Sequence, residues 1–296
     1  DARLFGRVRM GQRQDFVPAA ENGSGRDGSQ KAPRKERGNE IMESKKAGLN
    51  RAQLKYLALF FMLLDNAYLR FNLNSIIHLI TRFVSPLFAW LLVDGFFHTR
   101  SREKYCKRLW IAALLMQAGN LLSFFLFHER GISDNIFLTL ALSFSIIWLF
   151  ALAEERKESA LFLRIAAWLL FLLGIGLSFA GIPLGFGAVL NLEGGLQILP
   201  LVLIAYFFRE SKVKQALFYL AYCFLLFFVI YGGPTEAFSQ GLDMFFVNSD
   251  WMTWLVIPFF FLYNGEKGRS SAFDKWFFYL FYPAHLWILL LLQQWI

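Results

Sequence analysis

From Leu54 to its end the chain alternates long apolar runs with short polar connections, most of them basic. A helix needs about 20 mainly apolar residues, within about 17–25, to cross the hydrocarbon of a bilayer. On that scale the pattern predicts about nine spans (range about 8–10), at roughly 54–70, 76–97, 109–127, 135–153, 161–180, 193–208, 216–231, 251–264 and 276–296. The sixth and eighth are short, and Pro200 and Pro258 inside them predict kinks. The glycine-rich stretch from Gly174 to Gly195 has room for a re-entrant or broken segment. The expected fold is all-α, a polytopic transmembrane helix bundle.

Composition closes off the other classes. Of 296 residues, 56% are hydrophobic and 18% aromatic, with 35 Phe, against only 18% charged. An ordinary soluble domain is about 25% charged, so this chain has more apolar surface than one soluble core could hide. That excludes a soluble enzyme, a disordered chain and a disulfide-knit secreted domain. Cys106 and Cys223 fall in different apolar segments, and no His, Cys and carboxylate set has metal-ligand spacing.

Residues 1–50 are a different material, with 11 Lys/Arg against 7 Asp/Glu and no apolar run of any length. We expect a disordered basic segment there, followed by a transmembrane domain over 51–296. No secretory signal is visible. Met42 is an alternative start, and Lys35-Glu36 can be encoded by a purine-rich AAGGAG a short distance upstream. Residues 1–41 therefore read either as over-extended translation or as a genuine tail.

The net charge of +8 would suggest nucleic acid if it were not distributed as it is. With the N-terminus in the cytoplasm, the inner loops hold Arg100, Arg102, Lys104, Lys107 and Arg108, then Arg156, Lys157 and Arg164, then Arg209, Lys212 and Lys214, then Lys267, Arg269 and Lys275. The outer loops hold only Arg70 and Arg130, and 232–250 is acidic through Glu236, Asp243 and Asp250. This is the positive-inside pattern. It predicts N-terminus in and C-terminus out, basic loops facing anionic lipid, and no nucleic-acid partner.

Charged groups at membrane depth are costly and stand where a partner or cavity receives them. Asp65 on the first span and Arg82 on the second come to similar depth from opposite directions, as an interhelical staple or as a functional ion pair. Asp94 and His98 share one helix face at the inner end of the second span, either as an interface pair or as a port for a cytosolic donor. Gln117 and Asn120 share a face of the third span, a spacing that glues helices. His285 lies near the middle of the last span beside Pro283, where an imidazole can serve as acid or base or simply as a hydrogen-bonder.

Three stretches carry a resemblance. Arg82-Phe83-Val84-Ser85-Pro86-Leu87-Phe88-Ala89-Trp90-Leu91-Leu92-Val93-Asp94-Gly95-Phe96-Phe97-His98-Thr99-Arg100 resembles the most recognisable segment of the TraX family. Asn135-Ile136-Phe137-Leu138-Thr139-Leu140 resembles its start of a later helix, and Tyr282-Pro283-Ala284-His285-Leu286 its C-terminal pattern. The resemblance covers roughly 52–296. It implies a multi-pass protein of the bacterial inner (cytoplasmic) membrane and acetyl transfer from acetyl-CoA to an amine or hydroxyl, the family being associated with N-terminal acetylation of conjugative pilin. The Tyr-x-x-His pattern is also similar to that of membrane acyltransferases that acetylate glycans.

On that reading His285 is the acid–base group, and Arg82 with Asp65 its positioning or charge partner. Asp94, His98, Arg100, Arg102 and Lys104 lie at donor entry, and Asn120, Asn135 and Tyr282 contact substrate. One position departs from the family, which usually has Asp-His where this chain has Asp65-Asn66. A transporter or flippase and a non-catalytic component of a conjugation or secretion apparatus remain the alternatives. The internal repeat expected of the former is not visible.

Overall fold

Asn50 opens the first helix. Its side chain accepts the Gln53 N–H while the Gln53 side chain accepts the Asn50 N–H, a capping box that starts α1 (Arg51–Phe71). The protein is described from a computed structural model covering residues 47–185, 187–230, 232–234, 249–268 and 271–295. The expectations for the segment upstream of Met42 and for most of the acidic connection 232–250 lie outside the described residues.

The second predicted span is two helices, α2 (Ser75–Thr81) and α3 (Val84–His98). Pro86 has no N–H to offer the Arg82 carbonyl four residues back, so the helix breaks there. Arg82 becomes a cap whose N–H turns to the Leu79 oxygen, and the His78 carbonyl it leaves is taken by Arg82 Nε (3.0 Å) and Thr81 Oγ1 (2.9 Å). Side-chain caps from Ser101 and Asn135 start α4 (Arg102–Phe127) and α5 (Ile136–Glu155).

α6 (Ala160–Phe179) runs through the first glycines of the glycine-rich stretch without a break. Beyond it the stretch folds as an antiparallel hairpin, β1 (Ile182–Gly185) and β2 (Ala188–Leu190), in which Ile182 faces Leu190. Gly194, in the left-handed region, then turns the chain into α7 (Gly195–Phe207), which contains Pro200, and α8 (Lys212–Val229) follows. The eighth predicted span begins as a 3-10 helix, Asp250–Val256, and continues as α9 (Ile257–Leu262), with Pro258 in its first turn where no N–H is needed. A second capping box at Ser271 starts α10 (Ala272–Gln293).

Every predicted apolar segment thus contains helix, and among the described residues six segments are long and apolar enough to cross a membrane. The chain is a multi-pass membrane protein. Of these six segments, α5 and the α2–α3 segment are the most enclosed, whereas α6 turns Leu161, Phe162, Leu169 and Leu172 outward, which in a bilayer meets lipid.

Contacts between successive turns order the two ends. At one end Arg102 of α4 meets Glu155 of α5, and Lys212 of α8 donates to the Tyr263 carbonyl beyond α9. At the other, Arg70 of α1 donates to the Arg130 carbonyl and to Gln293 of α10. The first end gathers the connections rich in Lys and Arg, and we call it the basic end.

There Leu49 is tied to the residues after α9, donating to the Leu262 carbonyl (2.8 Å) and accepting from Asn264 N–H (3.0 Å). Gly48 precedes it at φ +118°, and any Cβ at that position would be driven into the Leu262 carbonyl oxygen. Gly48→Ala is expected to cost about 1–3 kcal/mol, read as a lower Tm of the detergent-solubilised protein. An unchanged Tm would show that this tie carries no stability.

Candidate functional site

Two cavities enter the bundle from opposite ends and share a wall. The larger, about 790 Å³, has Arg51, Lys55, Arg100, Arg108 and Lys267 in its walls at the basic end. The smaller, about 440 Å³, lies at the other end and is bordered by Asp65, Arg82, Asp134, Glu193 and Asp250. Met62, Phe88, Ile136 and Tyr282 line both. Tyr282 and Met62 sit near the middle of α10 and α1, so the common wall lies midway through the bundle.

The cations of the larger cavity are placed by the helix starts. Arg51 opens α1, and its guanidinium is held on the Asp94 carboxylate, which also accepts from Tyr263 Oη (3.0 Å). Asp94 thereby fixes one cation of the mouth. His98 Nδ1 lies 2.7 Å from the Asp94 carbonyl, and the imidazole borders the cavity.

At the smaller cavity the break between α2 and α3 aims Arg82 back at α1. Arg82 Nη2 donates to both oxygens of Asp65 (2.9 and 2.8 Å), and Nη1 donates to Asp250 (2.7 Å). Asp65 is also met by Thr81 Oγ1 (2.5 Å) and His78 Nδ1 (3.0 Å). Only 15% of the Arg82 side chain and 20% of that of Asp65 are exposed, so this is a largely desolvated network rather than a surface pair.

Next to Asp65 on α1, Asn66 Nδ2 lies 3.2 Å from His285 Nε2 and 2.9 Å from the Met62 carbonyl. His285 Nδ1 faces the Phe281 carbonyl at 2.9 Å. A carbonyl can only accept, so Nδ1 carries the proton and Nε2 receives the Asn66 N–H. His285 is buried and is not among the described residues lining either cavity, while Asn66 lines the smaller one.

Tyr282 makes the third arrangement. Its hydroxyl donates to Glu193 Oε2 (2.6 Å) and accepts the Ile136 N–H (3.1 Å). Glu193 is anchored in turn by Thr139 Oγ1 on its backbone carbonyl (2.8 Å). It lies in the connection between β2 and α7, buried beside the Asp134 carboxylate. Burial raises the Asp134 carboxyl, against the pull of Arg70. Among the described residues no group of three or more His, Cys, Asp or Glu is arranged to hold a metal ion.

A family model described as TraX protein matches residues 50–293, which is the helical part of the chain nearly end to end. The chain belongs to the TraX family. It is also similar to the "Probable fimbrial assembly protein FimC, serogroup H1" of Dichelobacter nodosus, with 27% identity over 256 residues, 80% of this chain and 93% of the relative. No solved structure matches.

Within this TraX chain the residues expected from sequence divide. Asp65 and Arg82 meet, Arg100 and His98 border the larger cavity, and Tyr282 lines both cavities. Arg102 is drawn away to Glu155 and the face of Phe96, and neither it nor Lys104 is among the residues lining the larger cavity. Asn120 and Asn135 tie helices together: Asn120 donates to the Asp134 carbonyl, and Asn135 caps α5 while donating to Ala113 and Gln117. Neither is among the residues lining the two cavities.

Several participants were not read from the sequence as site residues: Arg51, Lys55 and Lys267 at the larger cavity, and His78, Thr81, Asp134, Glu193 and Asp250 at the smaller. For Glu193 a signal existed, since it is the sole charged residue between Arg164 and Arg209. A carboxylate kept in so apolar a stretch has a partner or a task.

Proposed function

We propose that this protein is a membrane acyltransferase. It takes an acetyl group from acetyl-CoA in the larger cavity and passes it to an amine presented in the smaller one. The observation that carries this reading is the pair of cavities with a common wall, one bordered by five cations and the other by carboxylates around a fixed guanidinium. Lys and Arg suit the phosphates of a nucleotide-bearing thioester, and the larger cavity falls within the size range of small-molecule sites. The name of the fimbrial relative supports a fimbrial-type subunit as acceptor, its terminal amine being attracted to the carboxylates of the smaller cavity.

In this reading Asp65, His78, Thr81 and Asp250 keep Arg82 from moving, which gives the acceptor cavity a rigid floor. His285 acts through Asn66: by accepting from Nδ2 it fixes the amide so that Oδ1 can accept from the incoming amine. The basic end faces the cytoplasm, where acetyl-CoA is made, in keeping with the positive-inside pattern.

The test is purified protein in nanodiscs with radiolabelled acetyl-CoA and a synthetic peptide bearing a free N-terminal amine. Wild type is expected to bind the thioester and acetylate the peptide. Arg100→Ala and Arg108→Ala are each expected to weaken thioester binding about tenfold, the loss of one charge-assisted contact. A wild type that neither binds nor turns over acetyl-CoA overturns the reading.

A further inference from the structure

The reaction proposed above has a proton to move and two cavities to move it between. An amine attacking a thioester forms a C–N bond, breaks the C–S bond, and must lose a proton, while the departing thiolate must gain one. Amine nitrogen and thioester sulfur are bonded to one carbon at the moment of transfer, so the two substrates, entering from opposite cavities, meet at the common wall. A group in that wall that exchanges protons with both completes the reaction.

Tyr282 lines both cavities, and Glu193, which lines the acceptor cavity, lies 2.6 Å from its hydroxyl. The hydroxyl can receive and donate together. One lone pair already accepts the Ile136 N–H, which leaves the other for a protonated Glu193 and the O–H for a third partner. His285 is not placed for this work, because Nδ1 is committed to the Phe281 carbonyl and Nε2 to Asn66.

Resting on the acyltransferase reading, we propose that Glu193 and Tyr282 form a proton relay through the common wall. The Glu193 carboxylate takes the proton from the attacking amine. It returns that proton to the Tyr282 oxygen as the Tyr282 O–H proton passes to the thiolate. The acceptor ends acetylated, the thioester ends as free thiol, and both side chains end as they began, so atoms and charges balance without a metal or a redox partner.

Glu193 faces Tyr282 from α10, Asp134 from the connection before α5 and, further off, Asp65 from α1. No cation among these pins it as a carboxylate, so it can take a proton and hand it on.

The experiment measures single-turnover acetylation of the same peptide at one pH, alongside binding of radiolabelled acetyl-CoA. In Glu193→Gln, transfer is expected to fall about 10²–10⁴-fold, with thioester binding within about twofold of wild type. Tyr282→Phe, which keeps the ring and loses only the hydroxyl, is expected to fall by a similar factor. Glu193→Asp, retaining an acid on a shorter arm, should recover part of the rate. A Glu193→Gln protein that keeps more than half its transfer overturns the relay alone. Absence of thioester binding and transfer in wild type overturns the acyltransferase reading and the relay with it.

Discussion

Arg82→Ala is expected to destabilise the protein by about 3–5 kcal/mol, a larger fraction of its stability than any other single substitution considered. The guanidinium gives hydrogen bonds to Asp65, Asp250 and the His78 carbonyl. Removing it leaves the Asp65 carboxylate desolvated, with only Thr81 and His78 to answer it. The damage comes from the stranded charge rather than from the missing bonds, and this separates the variants. Asp65→Asn combined with Arg82→Gln removes both charges and should melt above Arg82→Ala. Arg82→Lys keeps a charge but cannot reach three acceptors with one ammonium, and should fall between. Melts of the three proteins in one detergent decide it. An Arg82→Ala protein as stable as wild type would mean that the network contributes little to holding α1 against the 3-10 segment.

The second large effect is on turnover. His285→Ala is expected to lower the rate of acetyl transfer about 10²-fold, the size that misplacement of a positioning group produces. His285→Gln is expected to retain most of it. The distinction follows from the ring's two contacts: an amide oxygen can accept from Asn66 as Nε2 does, so Gln restores orientation without restoring titration. A His that itself carried the reaction's proton would fail equally as Ala or Gln. Transfer and thioester binding measured together on both variants give the answer, since a positioning role lowers kcat and leaves binding in place. Equal inactivity of the two would return His285 to the acid–base role that its resemblance implies.

How far the site could be read from sequence depended on whether its signal was local. The apolar periods and their basic connections are local, and all of those spans contain helix. Asp65 and Arg82 could be paired because rise per residue converts sequence position into depth. The interruption at Arg82 was also encoded, in Pro86 four residues on, but a proline inside an apolar run reads equally as a kink. What escaped was direction. Arg102 and Lys104 belong to the same basic stretch as Arg100 and Arg108, and only packing sends Arg102 towards Glu155 while Arg51 from α1 and Lys267 from the connection before α10 arrive at the cavity. Glu193 is hidden at the end of a glycine-rich stretch that reads as a re-entrant or broken segment. The charge, not the glycines, was the exceptional residue.

The 13 residues of α7 span about 20 Å at helical rise, roughly a third less than the hydrocarbon layer. A helix so short would ordinarily pinch the surrounding membrane or tilt its neighbours to compensate. Here Ile198, Leu199, Leu201 and Val202 are fully enclosed by protein, so the acyl chains never register the shortfall. The missing turns instead leave a well sunk from one surface towards the midplane, floored by the Glu193 connection. How the protein fits a thick or a thin membrane is then decided by its outer helices, chiefly α6 and α10. The depth at which Glu193 works is set inside the bundle and should hold constant from one lipid composition to another.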